Sequence, residues 1–221
     1  MKNEIQMLAI LFSGFLISNS CSATKIERVY ESSKNKVVKL GMIFIQQDKQ
    51  GNVHKFKGSC SGAFIDSNGT ILTCAHCVSD KSMTKLFVKL ENESVYTGII
   101  KQIDLLHDLA LVKINLPYYA LHFNLGNPVE RGQEVLALGC PLGLQHSVGV
   151  GWVENVVERG MWYIIHSATM APGSSGGPLV DLHGRLVGVN EAILMMNFFI
   201  PASGYYVAID VDTINDFLNT H

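Results

Sequence analysis

The 221-residue chain is poor in charge: Lys, Arg, Asp and Glu make up 16% of it, and the net charge is −2. An ordinary globular chain carries about a quarter charged residues. No run of like charges occurs. Phosphate neutralisation needs clustered Lys and Arg, so a nucleic-acid binder is excluded. Long apolar runs are missing too. The best, Ile5–Ile17, is broken by Gln6, Ser13 and Gly14 and is too short to span a bilayer comfortably. Proline occurs only six times, and neither an internal repeat nor a linker-like break in composition divides the chain. What remains is 48% hydrophobic and rich in glycine. That excludes disorder for most of the length and allows a sizeable core without metals or staples.

The first 23 residues stand apart from the rest. Lys2 precedes the apolar run, and small polar residues, Ser18 to Ala23, follow it. This reads as a secretory signal peptide over 1–23, with an uncleaved N-terminal membrane anchor as the alternative. The expectation is an exported protein, periplasmic or secreted, with residues 24–221 as its mature domain. Cleavage after Ser20 instead of Ala23 would leave Cys21 as a lipid attachment point. Four cysteines then remain: Cys60, Cys74, Cys77 and Cys140. Cys74-x-x-Cys77 invites a metal or redox reading, but the chain holds no second C-x-x-C and no H-x-x-x-H to complete a site. Neither a metal nor an organic cofactor is expected.

From Val37 onward, short apolar runs alternate with turn signals, the pattern of an all-β sandwich or barrel. Val37–Gln46, Gly62–Ile65, Thr70–Thr73, Leu86–Leu90, Tyr96–Ile103, Leu109–Ile114 and Glu134–Gly139 are predicted strands. Gly149–Val157, Trp162–Ser167, Pro178–Val180 and Arg185–Asn190 continue the series. Asp66-Ser67-Asn68-Gly69 and Asp181-Leu182-His183-Gly184 have hairpin-turn composition. One helix is predicted, Val211–Leu218, capped by Asp210 or Asp212. About a dozen strands exceed one simple sandwich, so two packed barrels are the natural arrangement.

Three segments place a chemically competent residue at the end of an apolar strand: Thr73-Cys74-Ala75-His76-Cys77, Asp108-Leu109-Ala110-Leu111-Val112, and Gly173-Ser174-Ser175-Gly176-Gly177-Pro178-Leu179. A hydroxyl is a weak nucleophile until a base takes its proton and a carboxylate orients that base. His76, Asp108 and Ser175 supply base, orienter and nucleophile in the chain order of double-barrel proteases. Glycines around Ser175 let the backbone turn so that the N–H groups of Gly173 and Ser175 converge as an oxyanion hole. Asp104 and Ser174 are the neighbouring decoys. Asp108 is preferred because the apolar strand starts directly after it, and Ser175 because of the Gly-x-Ser-Gly-Gly register.

Taken together, these segments resemble the trypsin-like serine proteases, and most closely the HtrA/Deg protease domain. Leu138-Gly139-Cys140-Pro141-Leu142-Gly143-Leu144 and Gly204-Tyr205-Tyr206-Val207-Ala208-Ile209 are similar to two further HtrA segments, so the resemblance covers about Val37 to Leu218. It implies a chymotrypsin-like fold of two six-stranded antiparallel β-barrels with a short C-terminal helix, and polypeptide substrates, among them unfolded or damaged exported proteins. Relatives carry PDZ domains after the protease; no such module is expected here. Cys60 and Cys77 match the pair that is disulfide-bonded in many trypsin-like enzymes. The resemblance puts the substrate pocket at Thr169 and Met170 and at Val189–Ala192, hence at Asn190 and Glu191. Thr169 implies a small or medium aliphatic P1 residue, whereas an inward-facing Glu191 would favour a basic one. The apolar stretch Ala192–Ile200 reads as a partly buried strand-and-turn or as a contact in a homo-oligomer. The rival to an enzyme is a non-catalytic peptide-binding pseudoprotease on the same fold.

Overall fold

A computed structural model describes residues 25–144, 146–191 and 205–220. The expected leader, Ala192–Ile200 and Gly204 lie outside the described residues. Among the described residues no helix is long and apolar enough to cross a membrane.

Seven strands form the first sheet: β1 (Val37–Gln47), β2 (Val53–Phe64), β3 (Thr70–Cys74), β4 (Met83–Lys89), β5 (Val95–Thr97), β6 (Ile99–Asp104) and β7 (Leu109–Lys113). Their order is β5-β4-β1-β2-β3-β7-β6, one strand more than expected. The reason is a bend. β5 and β6 are separated only by Gly98, so one predicted strand pairs first with β4 and then with β7. A Cβ on Gly98 would lie 2.9 Å from Leu86 Cγ and 3.0 Å from Val112 Cγ1. Only glycine lets the backbone turn that barrel corner between β4 and β7. Counted as one bent strand, the sheet is the expected six-stranded barrel, closed through the chain itself.

The second barrel closes by hydrogen bonds alone, in the order β10-β13-β12-β11-β8-β9. Its strands are β8 (Glu134–Gly139), β9 (Ser147–Glu158), β10 (Trp162–His166), β11 (Pro178–Asp181), β12 (Leu186–Glu191) and β13 (Tyr206–Asp210). β11 and β12 are buried along their whole length, which explains the apolar runs Pro178–Val180 and Leu186–Val189 before their polar ends. The C-terminal helix (Val211–Asn219) is capped by Asp210, whose Oδ1 accepts the Asp212 N–H at 2.8 Å.

Two elements escape the strand-and-turn reading of the sequence. Residues 25–33 form a helix, α1, with Ile26, Val29, Tyr30 and Ser33 on one face at helical spacing. Val29 is buried in the core, and Tyr30 Oη donates to the His146 carbonyl at 2.8 Å. The start of β2 extends past the β1–β4 pairing as a ribbon with β1, from the pairing of Gln47 with Val53 to that of Ile45 with Lys55. Both faces of that stretch are exposed, so its residues lack the polarity alternation that marks a half-buried strand.

Candidate active site

The first barrel presents His76 and Asp108. His76 sits in a short turn of 3-10 helix (Ala75–Cys77) that directly follows β3. Asp108 precedes β7, the partner of β3, so pairing of Cys74 with Leu109 brings the two together. Asp108 holds a left-handed backbone, φ +52°, which Asp tolerates better than most residues. From there its carbonyl accepts the Ala75 N–H at 2.9 Å. Its Oδ1 accepts the His76 N–H at 2.7 Å, and its Oδ2 meets His76 Nδ1 at 2.6 Å. This double grip fixes the imidazole plane and places the Nδ1 proton, leaving Nε2 on the far side of the ring. Nε2 is enclosed and carries no hydrogen bond among the described residues. The decoy Asp104 is engaged elsewhere, with His107 Nδ1 at 2.6 Å from its Oδ2.

The disulfide Cys60–Cys77, expected from the resemblance, ties the end of the His76 turn to β2. Cys74 and Cys140 are free and buried, so the two thiols of Cys74-x-x-Cys77 are not a matched pair. Burial, then the charges of Asp108 and Glu191, push the Cys74 thiol well up. Cys74, His76 and Asp108 each offer a ligand atom within 4.8 Å of the others.

The second barrel presents Ser175 on the loop between β10 and β11. Gly173 and Gly176 have φ of +101° and +82°, the region open to glycine without strain. The Leu142 N–H donates to the Pro172 carbonyl at 2.8 Å. In a trans peptide the carbonyl and the next N–H point in opposite directions, so the Gly173 N–H faces away from Leu142. Neither the Gly173 nor the Ser175 N–H donates to a protein group among the described residues, the state an oxyanion site requires. Ser174 N–H, by contrast, is used locally, donating to the Ala171 carbonyl at 3.0 Å.

The sequence did not single out the residue that joins the two halves. Ser61, on β2 and fully buried, uses all four of its polar groups. Its N–H donates to the Ser175 carbonyl at 2.8 Å, and its carbonyl accepts from Thr73 Oγ1 at 2.8 Å. Its Oγ donates to the Gly173 carbonyl at 2.7 Å and accepts the Cys140 N–H at 2.8 Å. Sequence held one faint signal, a serine directly before the apolar end of the strand at Ala63 and Phe64.

The four residues assigned to a substrate pocket separate. Thr169 and Met170 line a concavity of about 190 Å³ with Ala137, Val148, Gly149 and Ser174. Ser174, next to Ser175, borders that concavity. Asn190 is buried, its Nδ2 donating to the Pro178 carbonyl at 3.0 Å and its backbone N–H to Gly177. Glu191 is buried against Asp108 rather than facing that concavity, and burial first, then the Asp108 charge and hydrogen bond, push its carboxyl up to about 8.

A family model described as trypsin-like peptidase domain matches residues 60–189. The chain is 35% identical to serine protease HTRA1A of Danio rerio over 171 residues, 72% of this chain and 34% of that protein. Identity to serine protease HTRA4 of Homo sapiens is 33% over 171 residues, with the same coverages. To the mitochondrial serine protease HTRA2 of Drosophila willistoni it is 32% over 170 residues, covering 72% and 37%. The chain thus spans a little over a third of the length of the curated relatives it matches. The two-barrel fold and these matches together make the chain a member of the trypsin-like peptidase family, of the HtrA type.

Proposed function

We propose that the protein is a serine endopeptidase acting through an acyl-enzyme. Ser175 Oγ attacks the scissile carbonyl while His76 Nε2 takes its proton. Asp108 holds the Nδ1–H and stabilises the imidazolium. The N–H groups of Gly173 and Ser175 receive the oxyanion. His76 then returns the proton to the leaving amine, and water, activated by the same base, releases the acyl group and restores Ser175. The observation that carries this reading is the double grip of Asp108 on His76, at 2.7 and 2.6 Å, beside a serine whose neighbouring N–H groups are left for a ligand.

Substrates are polypeptides, and the apolar N-terminal segment supports an exported protein acting on unfolded chains outside the cytoplasm. The uncharged Thr169–Ala171 segment and the inward engagement of Glu191 favour a small or medium aliphatic P1. The test uses the protein and its Ser175→Ala variant with a fluorophosphonate probe and an unfolded protein substrate. Labelling and cleavage are expected for the parent and neither for the variant. A folded parent that does neither would replace the enzyme with a peptide-binding pseudoprotease. Cleavage products ending mainly in Arg or Lys would overturn the P1 assignment.

A further inference from the structure

Glu191 ends β12 with 3% of its surface exposed. The Asn190 carbonyl just before it accepts the Gly176 N–H at 2.8 Å and the Cys74 thiol at 3.5 Å. These bonds pin the strand end against the nucleophile loop and against β3, and they fix where the Glu191 side chain falls. Cys74 in turn pairs with Leu109 across β3 and β7, so this strand end brings the Glu191 carboxyl beside Asp108, whose charge acts on it. Two carboxyl groups in one buried contact share a hydrogen bond only if one of them keeps a proton. Both Asp108 oxygens already accept N–H groups of His76, so the proton belongs on Glu191. The enclosed Glu191 Oε2 has no donor among the described residues, which further disfavours its ionised form.

We propose that Glu191 is a positioning residue for the catalytic couple: as a neutral carboxylic acid it donates a hydrogen bond to the Asp108 carboxylate, and its deprotonation sets an alkaline limit on activity. This deepens the triad reading above and rests on it. Asp108 then accepts three donors, two from His76 and one from Glu191, which holds the plane of its carboxylate. On deprotonation the third donor becomes a second negative charge in contact with Asp108. Repulsion then loosens the grip on His76 Nδ1.

Two further titratable groups around Glu191 keep one charge state across the range that matters. Cys74, from β3, is pushed well up by burial and by these two carboxyls. Tyr163, from β10, is pushed up to about 12, by burial first and then by Glu191 and Asp108. His76 lies beyond Asp108. Among the described residues no Lys or Arg, and no group of β11, β13 or the C-terminal helix, contributes a charge to Glu191.

The test compares the full chain with Glu191→Gln and Glu191→Ala. The Gln amide donates the same hydrogen bond but has no proton to lose. Fluorophosphonate labelling rates are read from about pH 6 to pH 9.5. Glu191→Gln is expected to match the parent near pH 7 and hold a plateau to the alkaline end. The parent should fall by about tenfold above its turning point, the lower end of what a hydrogen bond to a charged group contributes. Glu191→Ala should be slow at every pH.

Urea midpoints read the same proton without any enzyme activity. Raised in the fold above its ordinary value near 4.5, the carboxyl stabilises the protein fully at acid pH. That stability is lost as pH climbs from about 4.5 to about 8 and stays lost above. The parent should therefore weaken relative to Glu191→Gln between pH 5 and pH 9. Parallel labelling profiles for parent and Gln variant, or a midpoint difference that does not change with pH, would overturn the proposal. No labelling in any variant, with the pH-dependent midpoint difference intact, would overturn the nucleophile reading and leave the shared proton standing.

Discussion

Replacing Gly176 by Ala separates backbone strain from steric conflict at the nucleophile loop. Gly176 has φ +82°, and a Cβ built there would lie 2.1 Å from Thr73 Oγ1, 2.4 Å from the Ser61 carbonyl oxygen and 3.0 Å from Cys74 N. Thr73 Oγ1 cannot swing clear without releasing the Ser61 carbonyl, and the other two atoms are backbone. Gly132 has almost the same φ, +80°, with nothing within 4 Å of the added atom. Gly132→Ala should therefore cost only the left-handed conformation, about 1 kcal/mol. Gly176→Ala adds overpacking of about 1–3 kcal/mol, for roughly 2–4 kcal/mol in all. With a urea slope of about 1–3 kcal/mol/M, its unfolding midpoint should lie on the order of 1 M below that of Gly132→Ala. Fluorophosphonate labelling should survive in the Gly132 variant and fall in the Gly176 variant, because the displaced Ser61 N–H holds the Ser175 carbonyl. Equal midpoints for the two alanine variants would refute the claim that close packing between the barrels sets the nucleophile loop.

Two further outcomes follow from Ser61 and its neighbour Cys60. Ser61→Ala leaves the Gly173 carbonyl and the Cys140 N–H without their partner in a buried site, a loss of about 1–3 kcal/mol. Labelling should slow by roughly tenfold in a protein that still folds, and an unchanged rate would remove Ser61 from the oxyanion loop's support. The Cys60→Ser/Cys77→Ser double variant opens a loop between residues 17 apart and should lose about 3 kcal/mol. An unchanged melting temperature would contradict that.

Much of this architecture is legible locally. The predicted strand Glu134–Gly139 has the bounds of β8, an apolar run because Val135 and Ala137 pack in one buried cluster and Leu136 and Leu138 in the other. Asp66 to Gly69 turns as its composition demands, with Asp66 Oδ1 accepting the Asn68 and Thr70 N–H groups. The first half of β2 was not legible, since no core constrains its residues. α1 was missed although Ile26, Val29 and Tyr30 follow a helical period, because so short a pattern beside an expected leader carries little weight. Thr169, Met170, Asn190 and Glu191 were grouped by resemblance. Alternation along β12, together with the tight join at Gly176 and Gly177, sends the last two to different surroundings.

The sequence alone determined the two-barrel class and singled out His76, Asp108 and Ser175 as the proposed reacting residues, because these readings depend on strand periodicity, turn chemistry and motifs a few residues long. Only the tertiary structure decided that one strand bends at Gly98 to serve both edges of the first barrel. Only it showed Ser61 joining β2 to the nucleophile loop, and a glutamate from the second barrel resting on an aspartate from the first. Those outcomes depend on contacts between segments far apart in the chain, where burial and the nearest charge govern what a side chain does.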